Sequence, residues 1–284
     1  MARRNEMVLS FPPFTPAVKW ILGICTGVFL LTVLLDRFAK VGLAYLLYFG
    51  ALSPQLVVHG SEVLHVPHVW QLLTYAFIHY ELWHWFGNML VIWMFGSQLE
   101  QTWRSRRFLE LFLFSSIGAA LVTVALAYTG ILGNLTTPTI GASGGAFGIL
   151  MAFGMLFGDQ EIMFFPFPIQ IKAKYFIGVL IVVEIILAIR ESGNGVAYLA
   201  HLGGLLFGYI YVKTSSREGF SGGMSERYYA LRNSYHRWKR RRAARKFQVY
   251  MKKHDREVFF DEYGNYRGPQ TKDDDSGHKG PWVN

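Results

Sequence analysis

Apolar residues in this chain fall into blocks long enough to cross a bilayer, and that pattern narrows its fold more than any single motif does. Hydrophobic residues fill 52% of 284 positions, aromatics 16% and charged residues only 17%, against roughly 25% charged in ordinary soluble domains. A soluble core of this size has no need of uninterrupted apolar runs near membrane-spanning length. Six runs read as membrane helices: 17–35, 82–98, 108–128, 143–158, 175–189 and 196–212. The fold class expected is therefore an all-α membrane protein, a six-transmembrane-helix bundle. The first run is too long for a signal-peptide core and no small-x-small cleavage site follows it, so it is read as a retained helix.

Between the runs the composition changes. Pro12, Pro13 and Pro16 break residues 1–16, and Pro166 and Pro168 forbid a continuous helix over 159–174. Residues 36–80 form a long connection with few charges. Its aromatic clusters at 45–49 and 69–73 suit the outer membrane interface. The loop between the second and third helices carries Arg104, Arg106 and Arg107. Three segments follow from this: an N-terminal stretch 1–16, a helical domain 17–213 and a tail 214–284.

The net charge of +9 belongs mainly to that tail, which holds 16 Lys and Arg against 9 Asp and Glu. Its run Lys239-Arg240-Arg241-Arg242 sits in a stretch, 225–258, read as helical in part, and from Phe259 onward Gly, Pro and Asp273–Asp275 suggest disorder. A basic tail tethered to a membrane body is expected to face anionic lipid headgroups in preference to nucleic acid. The positive-inside rule puts Arg3/Arg4, the 104–107 arginines, Lys172/Lys174 and the tail on one side, so both termini are expected in the cytoplasm, at a bacterial plasma (inner) membrane. Cys25 is the only cysteine, which rules out an intrachain disulfide.

A few polar groups interrupt these runs, and each is costly to keep at hydrocarbon depth. Ser143 opens the fourth helix, His201 lies about five residues into the sixth, and His84 and Asn88 occupy one face of the second. With this topology all four share a layer below the outer surface. A serine there could simply cap its helix. It could equally be a nucleophile beside backbone N–H groups aimed at an oxyanion, with His201 as general base and Asn88 and His84 as donors. Gly144 and Gly148 on the fourth helix, and Gly204 and Gly208 on the sixth, are small residues four apart that let helix backbones touch. Two acids also lie in apolar helices, Glu110 and Glu184; Glu184 is expected to stay protonated and hydrogen-bond a neighbour. No His-Glu-x-x-His motif occurs, no metal site is read, and no cofactor is expected.

These motifs resemble the rhomboid family of intramembrane serine proteases. The resemblance rests on Gly141-x-Ser143-Gly144, on His201-x-x-Gly204-x-x-x-Gly208 and on His79-x-x-x-x-His84-x-x-x-Asn88, and it covers about residues 17–213. It implies a Ser143–His201 dyad without a third, acidic member. It also implies an oxyanion site from Asn88, His84 and the Ser143 backbone N–H, and cleavage of transmembrane protein substrates near their outer ends. Where the family often carries tyrosine four residues after the nucleophile, this chain has Phe147, which keeps ring stacking and loses the hydroxyl. A catalytically silent relative that escorts membrane segments is the alternative, and it predicts loss of Ser143 or His201. A transporter ranks third, since no internal repeat is evident.

Overall fold

A computed structural model describes residues 12–62, 64–130, 135–164, 169–190, 196–215, 220–253, 259–260 and 265–267. The chain divides into two compact units, Met1–Phe220 and Ser221–Asn284.

In the first unit, α1 is Pro16–Phe38, and the connection after it folds into short helices, α2 (Lys40–Gly50), α3 (Pro54–His59) and α4 (Gln71–Thr74), ending in a 3-10 turn at Tyr75–Phe77. Then follow α5 (Leu82–Thr129), α6 (Ser143–Leu156), α7 (Ala173–Arg190) and α8 (Val196–Thr214). The helix starts and ends fall within a few residues of the six apolar runs, with one correction. No loop separates the second run from the third. Both lie in α5, broken only at Arg104, whose φ of +67° is non-helical. At that one residue the backbone kinks out of helical geometry, and the residues flanking it are held. The Arg107 guanidinium lies 4.2 Å over the Trp103 ring, and Glu100 accepts a hydrogen bond from Ser105 Oγ at 2.5 Å.

Among the described residues, α1 and α5 have the length and apolar character to cross a membrane, and α6 is a shorter apolar helix of 14 residues. At about 1.5 Å per residue α6 spans roughly 21 Å. The outward faces are apolar as well. Trp20, Leu30 and Leu34 on α1, and Val179, Val182 and Ile186 on α7, are exposed, a distribution that suits lipid and not water. The two arms of α5 pack with α6 and α8 as the centre of the unit. There Phe108, Phe112, Ile149 and Tyr211 are buried.

Glu100 organises the start of α1. Pro16 has no N–H to leave unpaired, and the next two amides, Ala17 and Val18, donate to the Glu100 carboxylate at 2.8 and 3.0 Å. The Thr15 hydroxyl donates to it as well. The carboxylate thus caps a helix more than 80 residues away in sequence, and it is buried. Glu100→Ala would strand these donors. Such a loss is expected to cost about 2–4 kcal/mol, read as a lower unfolding midpoint in detergent. The exposed Arg106–Glu110 pair, at 3.2 Å, should contribute less than about 1 kcal/mol.

Between α6 and α7 the proline-bearing segment forms an antiparallel hairpin, β1 (Glu161–Phe164) with β2 (Ile169–Lys172), in register Glu161 to Lys172. Residues 165–168, with both prolines, lie outside the described residues. Lys174 closes the hairpin base on Asp159 at 2.6 Å. In the second unit α9, Phe220–Lys252, begins earlier than the sequence suggests. Beyond it β3 (Phe259–Phe260) pairs with β4 (Tyr266–Arg267) where disorder is expected. Residues 261–264 and 268–284, including Asp273–Asp275, lie outside the described residues.

Candidate active site

Ser143 is the first residue of α6, and the N-cap is Ala142, with no side-chain capping bond. The capping role that a serine here could have filled is therefore not used, and the hydroxyl has no hydrogen-bond partner among the described residues. It sits above a turn that only glycine can make. Gly141 has φ of +118°, and a β-carbon there would stand 2.6 Å from His84 Cε1. Backbone bonds fix that turn, from the Gly141 N–H to the Tyr75 carbonyl at 2.9 Å and in both directions between Leu52 and Thr139 at 2.9 Å.

His201 reaches the same place because α6 and α8 touch backbone to backbone. A β-carbon at Gly204 would stand 2.1 Å from the Gly144 carbonyl oxygen, and one at Gly208 would stand 2.7 Å from that of Gly148. One turn along α6 from Ser143, on the same face, the Phe147 ring stacks on the His201 imidazole with centroids 4.3 Å apart and planes 9° from parallel. Stacking expected from the sequence is thus present without the hydroxyl. The Ser143 and His201 side chains do not hydrogen-bond to each other here. Catalytic hydrogen bonds in unliganded enzymes often tighten only when substrate arrives.

The His84–Asn88 face of α5 closes the site. His84 lies against Gly141. Asn88 Nδ2 donates to the His84 carbonyl at 2.9 Å and lies 3.4 Å from His79 Nε2. That nitrogen has one lone pair, and the Ala142 N–H claims it at 3.2 Å. The second Asn88 amide hydrogen is therefore only weakly held and can turn to another acceptor. A cavity of about 300 Å³ opens beside His84, lined by Leu47, Tyr80, Glu81, Pro138 and Ile140.

His79 belongs to the motif read from the sequence, but its position joining Asn88 to the nucleophile turn was not foreseen. It is fully buried. Burial, with His84 adding to it, pushes its pKa down to about 4. The folded state therefore holds His79 neutral, while an unfolded chain takes up a proton below about pH 6.5. Stability contributed by the neutral ring is complete above that pH and is lost as pH falls toward 4, by about 3 kcal/mol in all. Unfolding midpoints measured across this window should drop in wild type, and the drop should shrink in His79→Gln, whose amide oxygen can still accept from Ala142.

The larger surprise is Glu184. It is buried on α7, and its Oε2 lies 2.8 Å from His201 Nδ1. A dyad lacking an acidic neighbour, as the resemblance implies, is not what this chain presents. Glu184 was expected to hydrogen-bond an unnamed neighbour, and the neighbour is the candidate general base. At the far end of α8, Tyr211 Oη donates to the Arg107 carbonyl at 3.0 Å and to Glu110 at 3.2 Å, so Glu110 serves packing away from the site. No cluster able to hold a metal ion occurs among the described residues.

Apolar helices with lipid-suited faces around a buried serine and amide and a half-buried histidine define an integral membrane protein with a polar site inside it. The Rhomboid domain model matches residues 66–218, more than half of the chain, and the chain belongs to the rhomboid family. Its similarity to "Rhomboid protein 1, mitochondrial" of Saccharomyces cerevisiae is 34% identity over 146 residues, 48% of this chain and 39% of that protein. To "RHOMBOID-like protein 1" of Arabidopsis thaliana it is 29% over 162 residues, 57% of this chain and 36% of the relative. To "Rhomboid protease GluP" of Bacillus subtilis it is 25% over 165 residues, 58% and 28%. The matched region thus spans well under half the length of each of these relatives.

Proposed function

We propose that the chain is an intramembrane serine endopeptidase that cleaves transmembrane segments of membrane proteins near their outer ends. The observation that carries this reading is the stacking of His201 on Phe147, one turn from Ser143, at a helix crossing with no side chains between the backbones. In this reading Ser143 Oγ attacks the scissile carbonyl carbon while its proton passes to His201 Nε2. The carbonyl electrons move onto oxygen, and the second Asn88 amide hydrogen, His84 and the Ser143 N–H donate hydrogen bonds to the resulting oxyanion. Collapse of that intermediate breaks the C–N bond, and the His201 proton leaves with the amine. Water then hydrolyses the acyl-enzyme by the same steps in reverse roles.

The six apolar helices, counting the arms of α5 separately, are the proposed spans of a domain over 17–213. Substrate helices must unwind before cleavage, since a helical peptide bond is shielded. The proposed lateral entry is α7 with the turn 191–195, which lies outside the described residues. Both termini are assigned to the cytoplasm, where the exposed arginines and lysines of α9 would meet anionic lipid headgroups. A bacterial plasma membrane is the proposed setting; mitochondrial names among the relatives favour an organellar membrane as the second reading.

A fluorophosphonate probe applied to wild type, Ser143→Ala and His201→Ala tests the chemistry. Labelling of wild type and of neither variant supports it. Equal labelling of all three would remove the serine hydrolase assignment.

A further inference from the structure

The hydrogen bond between Glu184 and His201 does more than satisfy a buried acid. We propose that Glu184 is a positioning residue, whose carboxylate holds His201 through Nδ1 and completes a Ser143–His201–Glu184 relay spanning three helices. This rests on the serine endopeptidase reading and adds to it a member from α7.

The ring has few ways left to turn. Phe147 covers one face in parallel contact, and Tyr198 meets the ring edge-on with centroids 6.2 Å apart. Glu184 holds Nδ1 at 2.8 Å. Nε2 is then the nitrogen left to face the Ser143 side of the site. A carboxylate accepting from Nδ1–H keeps the proton there, so Nε2 carries the lone pair that a general base needs. When Nε2 takes the Ser143 proton, the imidazolium forms beside a negative charge, and no proton need move onto Glu184. Its side chain is 9% exposed and that of His201 17%, so water screens the pair weakly and the charge acts at close to full strength. A bare carboxylate at this depth would otherwise be an expense without return.

Helix geometry makes the placement specific. α7 and α8 are consecutive helices, and Glu184 and His201 are 17 residues apart. The same α7 that exposes Val179, Val182 and Ile186 outward turns this one acid inward. Among the described residues, the hydrogen bond of this acid to His201 is the polar tie from α7 to α8. A displacement of α7 from α8 would break the tie, so the base would be fully oriented only with α7 in place.

The test uses the full chain in detergent or proteoliposomes, with a membrane-tethered substrate and a fluorophosphonate probe. Glu184→Gln keeps the shape and an acceptor but removes the charge. In Glu184→Gln, kcat is expected to fall about 10- to 100-fold with KM within about twofold. Among the described residues the ring is met by Glu184 from α7, Phe147 from α6 and Tyr198 on its own helix, and His84→Asn is run in parallel as a comparison. Glu184→Asp should recover part of the loss.

The probe's second-order rate constant reports nucleophile activation without substrate docking, and it should fall by about tenfold in Glu184→Gln. A kcat within twofold of wild type overturns the proposal. So does a loss confined to KM or thermal stability with the probe rate intact. Should the glutamine variant fail to fold, Glu184→Asp is read alone: a reduced probe rate supports the relay, and a wild-type rate overturns it. Retained cleavage in Ser143→Ala would instead remove the serine endopeptidase reading itself, whatever Glu184 does.

Discussion

Cleavage of a membrane-tethered substrate is expected to slow by at least about 10³-fold in Ser143→Ala, and His201→Ala should match it within an order of magnitude. The informative measurement is the double variant. A nucleophile and a base that act as one unit are each worthless alone, so removing both should be no worse than removing either. Independent roles would instead multiply the losses. Ser143 takes no part in the glycine contacts between α6 and α8, so Ser143→Ala should unfold near the wild-type midpoint, whereas His201→Ala also loses the Phe147 stack and the hydrogen bond to Glu184 and should unfold at a lower one. A double variant slower than both singles by their product would mean that the two residues do not share a step.

Gly204→Ala is expected to be the most damaging conservative change in the protein. Its β-carbon would meet the Gly144 carbonyl oxygen at 2.1 Å, the carbonyl carbon at 2.9 Å and Cα at 3.0 Å. No flexible side chain can yield, so the helices must part. Overpacking of this kind costs about 3 kcal/mol, set against about 1 kcal/mol that alanine gains over glycine within a helix. Activity should suffer more than stability, because His201 lies one turn away and an ångström of displacement can cost about 10²-fold in rate. Gly23→Ala on α1, where a β-carbon meets nothing within 4 Å, is the control and should be neutral or slightly stabilising. Thermal unfolding and a cleavage assay on both variants decide the matter.

Sequence alone located the apolar helices well because lipid imposes length and composition on each segment separately. That the helix carrying His84 and Asn88 meets the turn before Ser143, and that His201 meets α6 one turn from it, fits the expectation that the four lie at similar heights on their helices. What stayed hidden was rotation and contact between segments. Glu184 stood out as an acid in an apolar helix, yet nothing in the residues around it says which neighbour its face meets. His79 was visible as part of a spacing, but its grip on the Ala142 amide depends on a turn brought in by the Leu52–Thr139 pairing. Arg104 was read as loop because a charged stretch usually is one, and the Arg107–Trp103 stack across the break leaves no signal in the sequence. The hairpin over 161–172 was missed since its prolines excluded a helix without indicating a strand.

The capping of α1 by Glu100 has a consequence for biogenesis. The amides of Ala17 and Val18 are made early, while the carboxylate that accepts from them is 83 and 82 residues further along. A nascent chain arrested before that point presents α1 with its opening turn bare. The cap is complete only once translation has delivered residue 100, so the opening turn of α1 is finished by a residue from the middle of the chain.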